Sequence, residues 1–321
     1  MSFLLGLIRI KELSILLVTI AAAIYFTASS DAFNSADNYR TIAQYVAPWA
    51  IVAAGQVMLL ICGEIDLSAG FTFTLAPFVL TLAHVNGWPL FLALLGAVLA
   101  STLIGVVNGL IRTVLTIPSF ITTLGMAFLL QGLVLIISNA RPVSAPDDHW
   151  VIDVFGGARW SEFLWALGII AIMQIVLSAT RFGIYTQATG GNLVGASEAG
   201  IRTNWVKVTN FALTSTLAGF AGILQGTRVG SYDPTNGGFN VMFFAVASAV
   251  IGGTALLGGS GTVIGALLGA LLLGIVFDGF NLTGVSANSF NLVLGISILV
   301  AMTLNVALIV VRKRMGSRVV T

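Results

Sequence analysis

The residues best placed to do something specific lie in one polar stretch, Arg181 to Lys207, whose flanks on both sides are strongly apolar. Its chemistry is binding rather than bond-making. Asn192 can cap a short helix through its side-chain oxygen, Leu193 to Ala199 give roughly two turns, and Gly200 can take the left-handed conformation that ends it. Gly195, Ala196 and Ala199 are small enough for another backbone to approach, and Arg181, Arg202 and Lys207 surround this knob with the positive charge of a cytoplasmic loop. Two readings stay open on these residues alone: a knob that docks into a cytosolic partner, or a polar loop that only turns the chain between two spans. A second stretch, Gly63 to Gly70, brings Glu64, Asp66 and Ser68 together near the inner membrane boundary. Asp66 and Ser68 can cap the following helix; a gate or a contact with a partner is the functional alternative.

The usual groups for catalysis or self-powered transport are missing. A phosphate-binding loop needs Gly-Lys-Ser/Thr so that the lysine and the hydroxyl reach phosphate and Mg²⁺, and Lys11, Lys207 and Lys313 do not follow a glycine. Cys62 is the only cysteine and His84 and His149 the only histidines, which leaves no intrachain disulfide and no His/Cys metal cluster. No nucleophile-base pair stands out either. The apolar spans carry no ionisable residue at their middles, the usual mark of a proton relay. Energy for uphill transport must then enter from outside the chain, unless the chain is a passive channel or facilitator that needs none.

The elements that position these residues follow from composition. With 57% hydrophobic and 8% charged residues over 321 positions, the chain has too few charges to cover a soluble globule, where about a quarter would be charged. It reads as an all-α, polytopic membrane protein, one transmembrane domain over residues 1–321. The net charge of +2 gives no reason to expect nucleic-acid binding.

Uncharged runs serve as the ruler for spans. Leu13–Ser30 gives the first, read as a retained helix rather than a cleaved signal because the apolar run is long and no small-x-small site precedes Asp31. Thr41–Gly63 gives the second, and Leu67–Ile111 the third and fourth, divided by the turn at His84–Pro89 with its interfacial Trp88. Thr113–Ala140 holds the fifth, entered through Ile117-Pro118 with the proline in the first helical turn. After an external segment, 141–162, come Phe163–Thr180, the cytoplasmic loop 181–207 and Val208–Thr227. Pro234–Phe277 holds spans eight and nine, interrupted at Gly258–Gly261, and Gly279–Val311 holds the tenth. Ten spans put both termini on one side.

Basic residues test that count independently. A cytoplasmic N-terminus places Arg9, Lys11, Arg112, Arg181, Arg202, Lys207, Arg312, Lys313, Arg314 and Arg318 inside and only Arg40, Arg141, Arg159 and Arg228 outside, ten against four. The acidic residues Asp31, Asp37, Asp147, Asp148, Asp153, Glu162 and Asp233 fall outside, with Asp278 near that face.

Three motifs carry a family resemblance. ATGGNLVGASEAGI followed by VKVTNFALTSTLAGFAGIL, GEIDLSAG at Gly63–Gly70, and VIGGTALLGGSGTVIGALLGALLLG resemble the cytoplasmic loop, the G-G-I-D-L-S-V-G motif and the late glycine-rich motif of ribose-type ABC importer permeases. The similarity runs from about Gln44 to the end. In that family the loop is a coupling helix seated in a groove of the ATPase subunit, so the resemblance implies an ATPase-coupling role for Gly190, Gly191, Asn192, Gly195, Ala196, Glu198 and Gly200. It further implies a bacterial inner-membrane location, a cytosolic ATPase that holds ATP and Mg²⁺, a periplasmic binding protein and a second permease, identical or related. No cofactor is expected in this chain. Two departures stand out: Glu64 replaces the second glycine of the motif, and the acidic E-L-D before the late motif is Met242-Phe243-Phe244 here.

Glycine is the other mechanical signal. Gly261, Gly265 and Gly269 lie on one helix stripe and allow close helix contact, while Gly252, Gly253, Gly258, Gly259 and Gly261 form a turn with a hinge as its functional reading and static packing as its structural one. Asp66 and Ser68 join them as gate candidates. Gln56, Asn108, Thr122, Gln131 and Gln225 should face the bundle interior, lining a pathway or bonding across helices, because an amide facing lipid is costly. The expectation is a permease for a monosaccharide or polyol, with a nucleoside, a furanose-like signalling molecule or a passive facilitator as rivals.

Overall fold

The computed structural model describes residues 11–147 and 149–285, with positions 289, 291–293, 295, 296, 299 and 303 beyond them. Most of the expected tenth span, Gly279–Val311, lies outside the described residues, as do the basic residues Arg9 and Arg312 to Arg318 and Asp148. The described helices of six residues or more are α1 Lys11–Ser29, α2 Ala36–Ile61, α3 Ala69–Val85, α4 Leu90–Val114, α5 Ser119–Ser138, α6 Ser161–Ala179, α7 Arg181–Gly191, α8 Leu193–Glu198, α9 Thr203–Val229, α10 Gly238–Ile251 and α11 Val263–Leu282. Among the described residues six helices (α1, α2, α4, α5, α6 and α11) are long and apolar enough to cross a membrane. The chain is an all-α, multi-pass membrane protein.

Its centre is α2, 26 residues long and almost entirely enclosed by other helices. Residues Val46 to Ile61 are buried all round, so α2 has no polar face and no lipid face. Its start is set by Ser35, which accepts the Asn38 N–H, several residues before the expected Thr41. The second central element is α9, 27 residues, packed against α2, α3 and α4. It begins at Thr203, five residues before the expected Val208, and stops at Gly230, whose φ of +75° is the left-handed cap. By contrast α1 lies at the periphery, held through Phe26, whose ring packs 6.0 Å from that of Phe280 and against Gly279.

Two of the expected spans are short. Helix α10 has 14 residues and α3 has 17, about 21 and 26 Å at 1.5 Å per residue, against a hydrocarbon core of about 30 Å. Pro234–Phe277 is therefore a half-length helix, a glycine turn and a full helix rather than two full spans. Gly265 and Gly269 of the expected stripe pack this unit, whereas Gly261 lies before the N-cap Thr262 and outside α11. A Cβ on Gly269 would fall 2.1 Å from the Ser248 carbonyl oxygen, and one on Gly265 2.2 Å from that of Gly252, so α10 and α11 touch backbone to backbone.

Elsewhere the boundaries shift by local chemistry. Pro118 sits at the N-cap of α5 with extended ψ, not in the first turn. Val143–Ser144 pairs antiparallel with Ser231–Tyr232, and a wide turn, Asp153–Gly157, lays Phe155 against Trp165 and Phe220. Starting α6 at Ser161 places Glu162 inside its first turn, where it is buried and paired with Arg228.

Candidate functional site

The knob forms as a capped helix. The Asn192 Oδ1 accepts the Gly195 N–H at 3.0 Å, α8 runs six residues, and Gly200 turns at φ +84° while Ile201 N–H closes onto the Ala196 carbonyl at 3.0 Å. What faces outward differs from the expectation drawn from small residues. Ala196 is only 6% exposed and packs into its own chain, and the space at Gly195 is taken up by the Asn192 side chain, 2.9 Å from where a Cβ would sit. The exposed side chains are Leu193 at 46% and Val194 at 67%, with Ser197, Glu198 and, of the small residues expected at the contact, Ala199 beside them. An apolar pair presented on a short, rigidly capped helix is a surface suited to burial in a partner's groove.

The stretch before the knob is also helical. Thr180 caps α7 by accepting the Gly183 N–H at 3.3 Å, a Thr-x-x-Gly start hidden by the polarity of residues 185–191. Gly190, at its end, packs against the end of α2, while Gly191 beside it is exposed. A Cβ on Gly190 would lie 1.7 Å from the Ile61 carbonyl oxygen, and the turn at Gly258 and Gly259 presses against Gly190 and Gly191 from the other side. The Gly259 N–H donates to the Ile61 carbonyl at 2.8 Å. Three chain segments thus meet largely backbone to backbone, with glycine on the α7 and α10–α11 sides and the Ile61 carbonyl at the end of α2. Gly253, Gly258 and Gly259 hold φ of +92°, +90° and +81° there, a left-handed run that a side chain would strain. Gly252 packs on Gly265 and Gly261 on Thr254.

The connection Cys62 to Leu67 carries the charged residues. Glu64, 4% exposed, accepts from Arg112 Nε at 2.9 and 3.0 Å and from Lys207 Nζ at 2.6 Å. Burial alone would raise its carboxyl, but the bonds from Arg112 and Lys207 together outweigh that and hold it below the usual carboxylate range. Lys207, placed by the sequence among the solvated charges around the knob, is instead 7% exposed and committed to Glu64. Removing one partner of such a buried group typically costs about 3–5 kcal/mol. Two residues on, Asp66 is fully buried and its carboxylate accepts from Ser68 N–H at 2.8 Å, Ser68 Oγ at 2.6 Å and Ser215 Oγ at 3.2 Å. Ser68 is the N-cap residue of α3, but its hydroxyl donates to Asp66 and caps nothing.

The pathway candidates separate. Gln56 donates to the Asp66 carbonyl at 2.6 Å and Asn108 to Ser68 Oγ at 2.8 Å, both fully buried in this polar cluster. Thr122 is buried and its hydroxyl has no partner among the described residues. Gln225, half-buried near the C-terminal end of α9, accepts from Asn236 at 3.3 Å. Gln131 departs from the expectation, since its side chain is exposed on the flank of α5. The sequence reading missed Gln174, whose Oε1 accepts the Val263 and Ile264 N–H groups at 2.9 and 3.2 Å and so supplies the opening amides of α11; a contact across 89 positions leaves no local signal.

The family model for the permease component of branched-chain amino acid transport systems matches residues 38–302. The chain belongs to that permease family. Curated relatives extend the match: a xylose/arabinose import permease of Sulfolobus acidocaldarius is 36% identical over 312 residues, covering 94% of this chain and 86% of the relative. A ribose import permease of Escherichia coli K12 is 34% identical over 302 residues, 91% and 92% of the two chains, and one of Haemophilus influenzae is 31% identical over 294, 89% and 90%. No solved structure matches the chain. The protein is a permease subunit of this family, and its buried glycine junction and capped α8 are features of that subunit.

Proposed function

We propose that the chain is the membrane-spanning half of an ATP-driven importer for a pentose or closely related monosaccharide, working with a cytosolic ATPase, an external binding protein and a second permease subunit. The support for the substrate class is the run of relatives named for ribose and for xylose and arabinose import. The support for the coupling role is α8, where Leu193 and Val194 project from a helix fixed at both ends; that is the observation that carries the reading. ATP and Mg²⁺ would sit on the ATPase, and this chain would contribute the pathway. The ten-span arrangement with both termini cytoplasmic puts α7, α8 and the Glu64 cluster on the inner side and the 141–162 segment outside, consistent with the basic residues of the loop.

The test is reconstitution in proteoliposomes with the ATPase and binding protein encoded beside it. Concentrative, ATP-dependent uptake of labelled ribose, xylose or arabinose supports the proposal. Uptake of none of the three with intact ATP-dependent transport of another solute would keep the mechanism and replace the substrate.

A further inference from the structure

The connection between Ile61 and Ser68 is non-helical chain, mostly buried with Gly63 exposed, at the inner end of the bundle, and such backbone persists there only when other parts of the protein satisfy it. Here they come from many elements. Leu67 N–H donates to Thr123 Oγ1 of α5 at 3.0 Å, Gln56 of α2 reaches the Asp66 carbonyl, and Ser215 of α9 reaches the Asp66 carboxylate. The Ile61 carbonyl, at the other end, receives the α10–α11 turn and abuts Gly190 of α7. Glu64 lies midway and holds the two cations of the cluster, Arg112 near the end of α4 and Lys207 in the second turn of α9. Only Ala199 to Arg202 separate α8 from α9, so a displacement of the knob is delivered to the base of α9, about 6 Å from Lys207 along the helix.

We propose that Glu64 is a positioning residue for energy coupling: its carboxylate ties the base of α9 and the end of α4 to the Ile61–Ser68 connection, so that movement at α8 is passed to the Asp66–Ser68–Ser215 cluster. Glu64, which stands where the resembling motif has a glycine, thus answers two cations with one carboxylate. It follows that Glu64→Gly, the apparent reversion to that motif, is not neutral in this chain, because it leaves Lys207 buried without its partner. The proposal rests on the reading of α8 as the ATPase-docking element.

The experiment separates a tie from a mere structural charge. The full permease is reconstituted with its ATPase and binding protein, and three quantities are read: ATPase retained per permease, solute uptake, and ATP hydrolysed per solute moved. Glu64→Gln should retain the ATPase and hydrolyse at least about fivefold more ATP per solute. The compensated pair Glu64→Leu with Lys207→Met removes both buried charges and leaves only Arg112, whose side chain is 25% exposed, without its carboxylate; replacing a buried pair by apolar residues is often neutral for folding. It should restore abundance and leave the ratio raised, while Glu64→Asp should stay near the unsubstituted ratio. A compensated pair that couples as well as the unsubstituted permease overturns the proposal, as does a Glu64→Gln variant whose uptake and hydrolysis fall together. Should the pair fail to accumulate, Lys207→Arg, which keeps the charge with a longer and planar head, carries the same readout: a raised ratio supports the tie and an unchanged one overturns it. Failure of the docking reading looks different, because the unsubstituted permease itself would then retain no ATPase.

Discussion

Replacing Val194 by Asp probes the docking face without touching the helix that presents it. Val194 is 67% exposed and Leu193 46% exposed, so a polar side chain at either place costs the isolated permease almost nothing. On docking, a buried valine contributes about 1.5–3 kcal/mol, and each 1.4 kcal/mol is a factor of about ten in affinity. Val194→Asp should therefore weaken ATPase binding by roughly 10- to 150-fold, before any cost of burying the carboxylate is added. Asn192→Ala, which removes the 3.0 Å cap on Gly195, should cost about 1 kcal/mol and weaken binding roughly fivefold. Ala196→Trp acts differently: the position is buried within the chain, so overpacking disrupts α8 itself, lowering permease stability along with docking. The assay is ATPase binding to permease in nanodiscs at matched abundance, with thermal unfolding of each variant alongside. If Val194→Asp and Leu193→Asp bind the ATPase with unchanged affinity, α8 is a connecting turn and its apolar face has another purpose.

The same geometry gives three further expected outcomes. With Cys62, which is buried, replaced by serine, cysteines at Ser144 and Asp147 should react with an impermeant thiol reagent from outside and those at Gln187 and Ser197 from inside only; all four positions are exposed in the fold, so labelling of both sets from one side contradicts the topology. Gly190→Ala must displace backbone, since its Cβ would lie 1.7 Å from the Ile61 carbonyl oxygen, and should lower the detergent-solubilised melting temperature, whereas Gly125→Ala and Gly132→Ala, with nothing within 4 Å, should be neutral or stabilising by up to about 1 kcal/mol each. Because the Glu64 carboxyl is held below its ordinary range, its contribution to stability is complete above that range and is lost only as pH falls through the lowered value. Unfolding measured from neutral to acidic pH should show that loss, and Glu64→Gln should remove it; an identical acid limb in both proteins would refute the assignment.

The parts of this fold that could be read from sequence are those with local causes. Membrane class, the order of the helices and the α8 cap follow from apolar runs and from Asn192 and Gly200, whose chemistry acts within a few residues. The close approach of α10 and α11 was legible for the same reason, because the Gly265 and Gly269 spacing encodes it. What escaped was set by distant partners. Glu64 is 143 positions from Lys207 and 48 from Arg112, so its substitution for glycine was visible while its pairing was not. The shortness of α10 was hidden because the apolar composition continues through the Gly252–Gly261 turn, and length was judged from charge alone. The outward face of α8 was misassigned because small residues suit close contact on either side of a helix, and here Ala196 is used against the chain itself.

The central claim is that this permease moves solute uphill only through a partner ATPase engaged at α8. Uptake into proteoliposomes, measured at constant ATP with and without the ATPase and with the proton gradient collapsed, tests it most directly. The account predicts accumulation above the external concentration that requires the ATPase and survives collapse of the gradient. Equilibration of solute by the permease alone, or accumulation that tracks the proton gradient at fixed ATP, would contradict it.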